Sequence, residues 1–177
     1  MKTVKELLFN QNINYIECVK SIDCKNLFSD GLIYFKPVTC DKDLIYCFLD
    51  YQLDKEQKEM VNAPGISISR AYTNPLKYYP FIICDQEDNN IGFICLCKWI
   101  GKGDAFSFTS FFIDKRYQKR GYGTASIKLA IKLLKAVDNK PIKVAVGQDN
   151  KKAQDVYFKL GFIKTDELDG DDFVFAI

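Results

Sequence analysis

Histidine is absent from all 177 residues of the chain, and that gap removes whole classes of chemistry. Hydrolases and proteases that pair a nucleophile with a histidine base are excluded, as are histidine-ligated metal enzymes. Any proton transfer must run through Asp, Glu, Tyr, Cys, Lys or water. No apolar run reaches the roughly 20 residues that a membrane helix needs. Lys5 and Glu6 interrupt the start of the chain where a signal peptide would continue apolar. The expectation is a soluble, cytoplasmic protein with no membrane partner. Repeats, low-complexity tracts and long linkers are missing too, which favours one domain with a proper core. The seven cysteines are an odd set without secretory features and are read as free thiols. Cys95 and Cys97, two apart in an apolar stretch, fall on one face of a strand as small core residues. No second Cys pair or histidine is available to complete a site with them, so no metal is expected.

The charge that is present is unevenly spread. Net charge is only +2, yet residues 111–152 hold eleven Lys and Arg against three Asp. From Gly161 onward there are five acids and one lysine. A local basic stretch in a near-neutral chain suits a small polyanionic ligand better than a long nucleic acid.

Periodicity gives a strand at 32–36, a helix-prone stretch at 41–60, and a loop or broken helix at 62–74 with Pro64-Gly65 as breaker. Strands at 81–84 and 91–99 form a hairpin across a polar turn. Residues 105–113 read as a strand with Phe106, Phe108 and Phe112 on one face and Ser107, Thr109 and Phe111 on the other. A helix at 124–137 buries the stripe Ile127, Ala130, Ile131, Leu134 and Val137. A short buried strand follows at 142–146. The helix at 150–160 has Asn150 as N-cap and Gly161 as its stop, and a last hairpin pairs 162–168 with 173–177. This order predicts an α/β (α+β) fold: a mixed, mostly antiparallel sheet of about seven strands with helices on both faces. Residues 1–30 lie outside the plan as an N-terminal extension, and 31–177 form the domain.

The informative segment runs from Phe111 to Thr124. A strand ends at Ile113, a polar turn follows, and a helix starts close to Gly123. A helix N-terminus exposes unpaired N–H groups and the positive end of its dipole, which attracts phosphate. Gly121 and Gly123 let phosphate approach without a Cβ in the way. Gln118, Lys119 and Arg120 add donors and charge beside Tyr122 and Thr124. A dinucleotide fingerprint is absent, since Ser126 stands at the third glycine position, and no Walker sequence occurs.

Gln118-Lys119-Arg120-Gly121-Tyr122-Gly123 resembles the Q/R-x-x-G-x-G/A loop of the GNAT superfamily of N-acetyltransferases. Val144-Ala145-Val146 followed by Asn150, Ala153, Tyr157, Phe158, Leu160, Gly161 and Phe162 resembles a second region of that family. Within it the chain looks most like the bacterial polyamine and diamine branch. The matches there include Lys36-Pro37-Val38-Thr39, Gln57, Val61, Ser67, Ala71-Tyr72, Pro80-Phe81 and Gly92-Phe93. The Pro64-Gly65 pair departs from that branch near the substrate helix.

The resemblance implies acetyl-CoA as co-substrate and a small-molecule amine as acceptor, with a homodimer as an open assembly. Backbone groups of Phe111, Phe112 and Ile113 would pair with the pantetheine arm, and Asn150 would hydrogen-bond it. Tyr157 would protonate the leaving thiolate. Asp54 and Glu56 would bind substrate. For the base, Asp50, Asp54, Glu56, Glu59 and Asp114 stay open, with 50 and 54, then 56 and 59, sharing faces at helical spacing. Acetylation of a protein N-terminus or an aminoglycoside, and a non-catalytic CoA-binding regulator, are the alternatives.

Overall fold

The computed structural model describes residues 3–9 and 23–177; Cys18 lies outside them. Among the described residues seven strands form, divided between two antiparallel sheets. β1 (Ile33–Pro37), β2 (Tyr78–Asp85), β3 (Asn90–Lys98) and β4 (Phe106–Ile113) make a four-stranded sheet in that order. β5 (Lys143–Val146), β6 (Ile163–Asp169) and β7 (Asp172–Ala176) make the second sheet, in the order β5-β7-β6. A single parallel bridge, Phe106 to Ile142, joins the two.

Helices cover both faces. α1 (Val4–Leu7) and the long helix α6 (Tyr122–Val137) pack on one face of the larger sheet. Leu7, Leu8 and Phe28 join that core, the last just after α2 (Cys24–Leu27). On the other face lie the single π-turn Tyr46–Asp50, which continues α3 (Asp41–Ile45), and α5 (Pro64–Thr73). Cys84, Cys95 and Cys97 are buried there. Burial pushes the Cys97 thiol up to about 12 and Cys84 to about 11, so both stay protonated as small core groups.

Four expectations need correction. The Pro64-Gly65 pair does not break a helix but starts one: Pro64 occupies the first turn, where its missing N–H has no intrahelical partner to lose. The stretch 41–60 is not one helix. An extended segment after Asp50 separates the π-turn from α4 (Lys55–Met60), so Asp50 and Asp54 share no helical face.

The third concerns β4. Ser110 has a left-handed backbone (φ +53°), and the register with β3 jumps by one residue between Phe93 and Cys95. The bulge inverts the alternation beyond it. Phe111 therefore joins Phe106 and Phe108 on the α6 side, while Phe112 crosses to pack on Phe93 and Tyr51. The Ser110 hydroxyl sits 2.8 Å from that of buried Ser67, tying the bulge to α5. Ala145 of β5 is exposed, so that strand is buried on one face only.

Candidate active site

β4 and β5 are both edge strands, and beyond the Phe106–Ile142 bridge nothing pairs them. They diverge around a cleft of about 1020 Å³. Facing, unpaired strand edges are what an extended ligand can bond to as an added strand. Phe111, Phe112 and Ile113 line this cleft from one side, and Val144, Ala145 and Val146 from the other.

The mouth of the cleft is the turn into α6. Lys119 (φ +62°) and Gly121 (φ +83°) both have left-handed backbone, a geometry that gathers N–H groups into an anion-binding concavity. Gly121 caps α6 without a side-chain bond. The N–H groups of Tyr122, Gly123 and Thr124 find no partner among the described residues, as the first turn of a helix dictates. A Cβ on Gly121 would meet no heavy atom within 4 Å, and one on Gly123 only the Ile113 Cγ1 at 3.8 Å. The space in front of both glycines is open, with the positive end of the helix dipole behind it.

Lys119, Gly121, Tyr122, Gly123 and Thr124 all line the cleft. Arg120 does not; it is exposed, with its guanidinium 5.7 Å from the centre of the Tyr117 ring. The Gln118 amide is spent internally, donating to Gln57 Oε1 at 2.8 Å and to the Ile113 carbonyl at 2.9 Å. It shapes the loop rather than offering donors. Two lysines absent from the sequence-based site, Lys151 and Lys152, line the opposite lip at the start of α7 (Lys151–Lys159). Their signal was the basic stretch itself.

Asn150 caps α7 by accepting from the Ala153 N–H at 3.0 Å. Asn150 also lines the cleft, and its amide nitrogen has no partner among the described residues, so capping and binding are compatible. Tyr157, also on α7, packs its ring against Phe162 at 5.2 Å and Phe108 at 6.1 Å. Burial pushes its phenol well above the ordinary value, so it stays protonated at neutral pH and can serve as a proton donor.

Asp114 is fully buried and unavailable as a base. Its carboxylate accepts from the Gln52 N–H, the Arg116 N–H and two guanidinium nitrogens of Arg116, all at 2.7–2.9 Å. Burial alone would raise its pKa, but these donors outweigh it and hold the carboxyl below the usual range. Asp54 caps α4 by accepting from the Gln57 N–H at 2.9 Å and lies outside the cleft lining. Glu56 lines the cleft.

Next to the cleft is a basin of about 850 Å³. Among the described residues, Glu59 from α4, Asp149 from the β5–α7 loop, Asp171 from the β6–β7 turn and Asp172 at the start of β7 line it, with Lys58 as the one cation. Asp169 and Asp172 line the cleft as well. The acidic C-terminal hairpin was visible in sequence, but only the folded topology brings it over the cleft. Among the described residues no group of His, Cys, Asp or Glu could hold a metal ion, and no helix is long and apolar enough to cross a membrane.

The chain is 32% identical over 94 residues to the uncharacterized N-acetyltransferase MJ1207 of Methanocaldococcus jannaschii, covering 51% of this chain and 42% of that protein. The chain thus spans less than half the length of that relative. Its fold resembles a GCN5-related N-acetyltransferase from Brucella melitensis (TM-score 0.65, 12% identity, 85% of this chain and 77% of that one). It also resembles the GNAT domain of S. lividans PAT (TM-score 0.64, 12% identity, 82% and 89%). The model of the acetyltransferase (GNAT) family matches residues 47–162. That match spans the bulged strand, the glycine loop and Tyr157, and the chain belongs to this family of acetyl-CoA-dependent transferases.

Proposed function

We propose that this protein transfers the acetyl group of acetyl-CoA to a primary amine of a small polyamine-like substrate. The observation that carries the acceptor reading is the acidic basin beside the cleft, four carboxylates against one lysine. A polyamine must be held by at least one ammonium away from the reacting nitrogen, and carboxylates are the chemical means. The α6 N-terminus, with Lys119 and the open faces of Gly121 and Gly123, would hold the pyrophosphate of the donor. The β4 edge at Phe111–Ile113 and the Asn150 amide would bond the pantetheine arm.

Tyr157 would donate to the leaving sulfur. Its pKa lies above that of a thiol, so it works as a hydrogen-bond donor whose proton moves only as negative charge grows on sulfur. Tyr157→Phe keeps the ring packing and removes the proton. The turnover number should fall by roughly tenfold to a thousandfold while CoA affinity changes little. An unchanged turnover number with chemistry rate-limiting would make Tyr157 a packing residue.

The acceptor test uses the two α4 acids on the cleft and the basin. Glu56→Gln with Glu59→Gln should raise KM for spermidine by about tenfold, the scale of one or two partly exposed ion pairs. KM for butylamine, which has no second ammonium, should hardly move. Equal effects on both amines would remove the polyamine reading.

Arg70 supports a second reading. Its guanidinium lines the same cleft, 5.8 Å from the centre of the Tyr78 ring and without an ion pair among the described residues. An acceptor carrying a carboxylate, such as a peptide amine, would suit it. A panel of spermidine, aminoglycosides and an alanine-starting peptide, read by release of free CoA, separates these acceptors.

A further inference from the structure

Asp172 opens β7 and lines both the cleft and the acidic basin. Its level in the cleft follows from strand register. Phe106 and Ile142 are parallel partners at the base of the divergence. Val146 at the far end of β5 pairs with Phe173 of β7, which sets Asp172 beside Gly147. Asp172 Oδ1 lies 3.7 Å from where a Cβ on Gly147 would stand. The carboxylate therefore stands at the Gly147 end of β5, away from the bridge, where the cleft meets the acidic basin.

The group is half-buried and has no hydrogen bond or ion pair among the described residues. Asp114, by contrast, has every lone pair occupied, and Asp54 is engaged as a helix cap. Asp169 stands opposite Asp172 in the hairpin register, and Asp171 precedes it. From the other elements around the basin come Asp149, Glu59 and Lys58; Lys151 and Lys152 line the cleft from the start of α7. Burial first, then the charges of Asp169 and Asp171, raise the Asp172 pKa above the usual carboxylate value. A carboxylate so raised is a stronger base than an exposed one.

We propose that Asp172 is the general base that takes the proton from the acceptor ammonium, an assignment that rests on acetyl transfer to an amine. One proton passes from the ammonium to the Asp172 carboxylate, freeing the nitrogen lone pair. That pair forms the new bond to the thioester carbonyl carbon, and the carbon–sulfur bond breaks with its electrons on sulfur. The second nitrogen proton is lost as the amide forms and the sulfur gains one, giving free CoA thiol. Asp172 then returns its proton to water.

The test compares wild type and Asp172→Asn with spermidine and with trifluoroethylamine, an amine already neutral at pH 7. With spermidine at pH 7, kcat should fall by about 100-fold. The loss should shrink as pH rises towards the amine's own pKa near ~10.4. With trifluoroethylamine the variant should stay within about threefold of wild type, and CoA affinity should be unchanged. An effect confined to KM, or an equal loss with both amines, would overturn the assignment. So would spermidine turnover at the wild-type rate. If wild type acetylates neither amine, the amine-transfer reading itself falls, and Asp172 loses its role with it.

Discussion

Gly123→Val should weaken acetyl-CoA binding by about 100-fold while the protein stays folded. The position is the second residue of α6, and its added Cβ would make only ordinary contact with Ile113, at 3.8 Å from Cγ1. Valine in a helix is no worse than glycine, so the fold has no reason to fail. The isopropyl group instead fills the space in front of the free N–H groups of Tyr122, Gly123 and Thr124. Loss of two charge-assisted hydrogen bonds, at about 1.5 kcal/mol each, amounts to roughly 100-fold in affinity. Gly121→Val should do the same with an added fold penalty. At φ +83° a Cβ costs about 1–2 kcal/mol whatever the space around it. Gly123→Val is therefore the cleaner variant, and calorimetry with CoA reads it. Near-normal affinity would remove the phosphate-loop assignment.

The largest stability effect should come from Asp114→Ala. This buried carboxylate bonds the segment before α4, through the Gln52 N–H, to the turn that leads into the glycine loop, through Arg116. Arg116 also donates to the Asp50 carbonyl at 3.0 Å, and the Lys115 N–H to the Gln52 carbonyl at 2.8 Å. Removing the acid leaves a buried N–H and a guanidinium without their partner. Breaking such a pair costs about 3–5 kcal/mol, and the partial exposure of Arg116 argues for the lower end. The melting temperature should drop by roughly 10 °C. The same group sets an acid limit. Its folded pKa is depressed, so its contribution is complete above the unfolded value near ~3.9 and is lost as pH falls through the lower folded value. Wild type should therefore lose stability below about pH 4 by an amount that Asp114→Ala no longer shows. Thermal melts of both proteins across that range provide the check.

Most elements were legible because their signals are local. The hairpin at β2–β3 and the stripe of α6 follow from alternation and helical spacing. Asn150 and Gly161 mark the ends of α7 by capping chemistry alone. The glycine loop was readable for the same reason, since a helix start and two small residues define it without distant partners. What was not legible depends on contacts far apart in sequence. The β4 bulge is set by pairing with β3 and by Ser67, 43 residues away, so strict alternation put Phe112 on the wrong face. Asp114 looks like a free turn acid until Gln52 arrives from 62 positions upstream. The acids of the β6–β7 turn had no readable role because nothing local says that the second sheet carries them to the cleft. Pro64 illustrates a local ambiguity: proline ends helices and begins them, and only the neighbouring backbone decides.

Acetyl transfer from CoA to an amine leaves a product that can be weighed. Incubating the wild-type protein with deuterium-labelled acetyl-CoA and spermidine, followed by mass spectrometry of the amine, tests it directly. Spermidine should carry one labelled acetyl group per molecule of CoA thiol released, with neither product formed when the protein is omitted. Tight CoA binding with no labelled spermidine, and none on any amine of the panel, would contradict it.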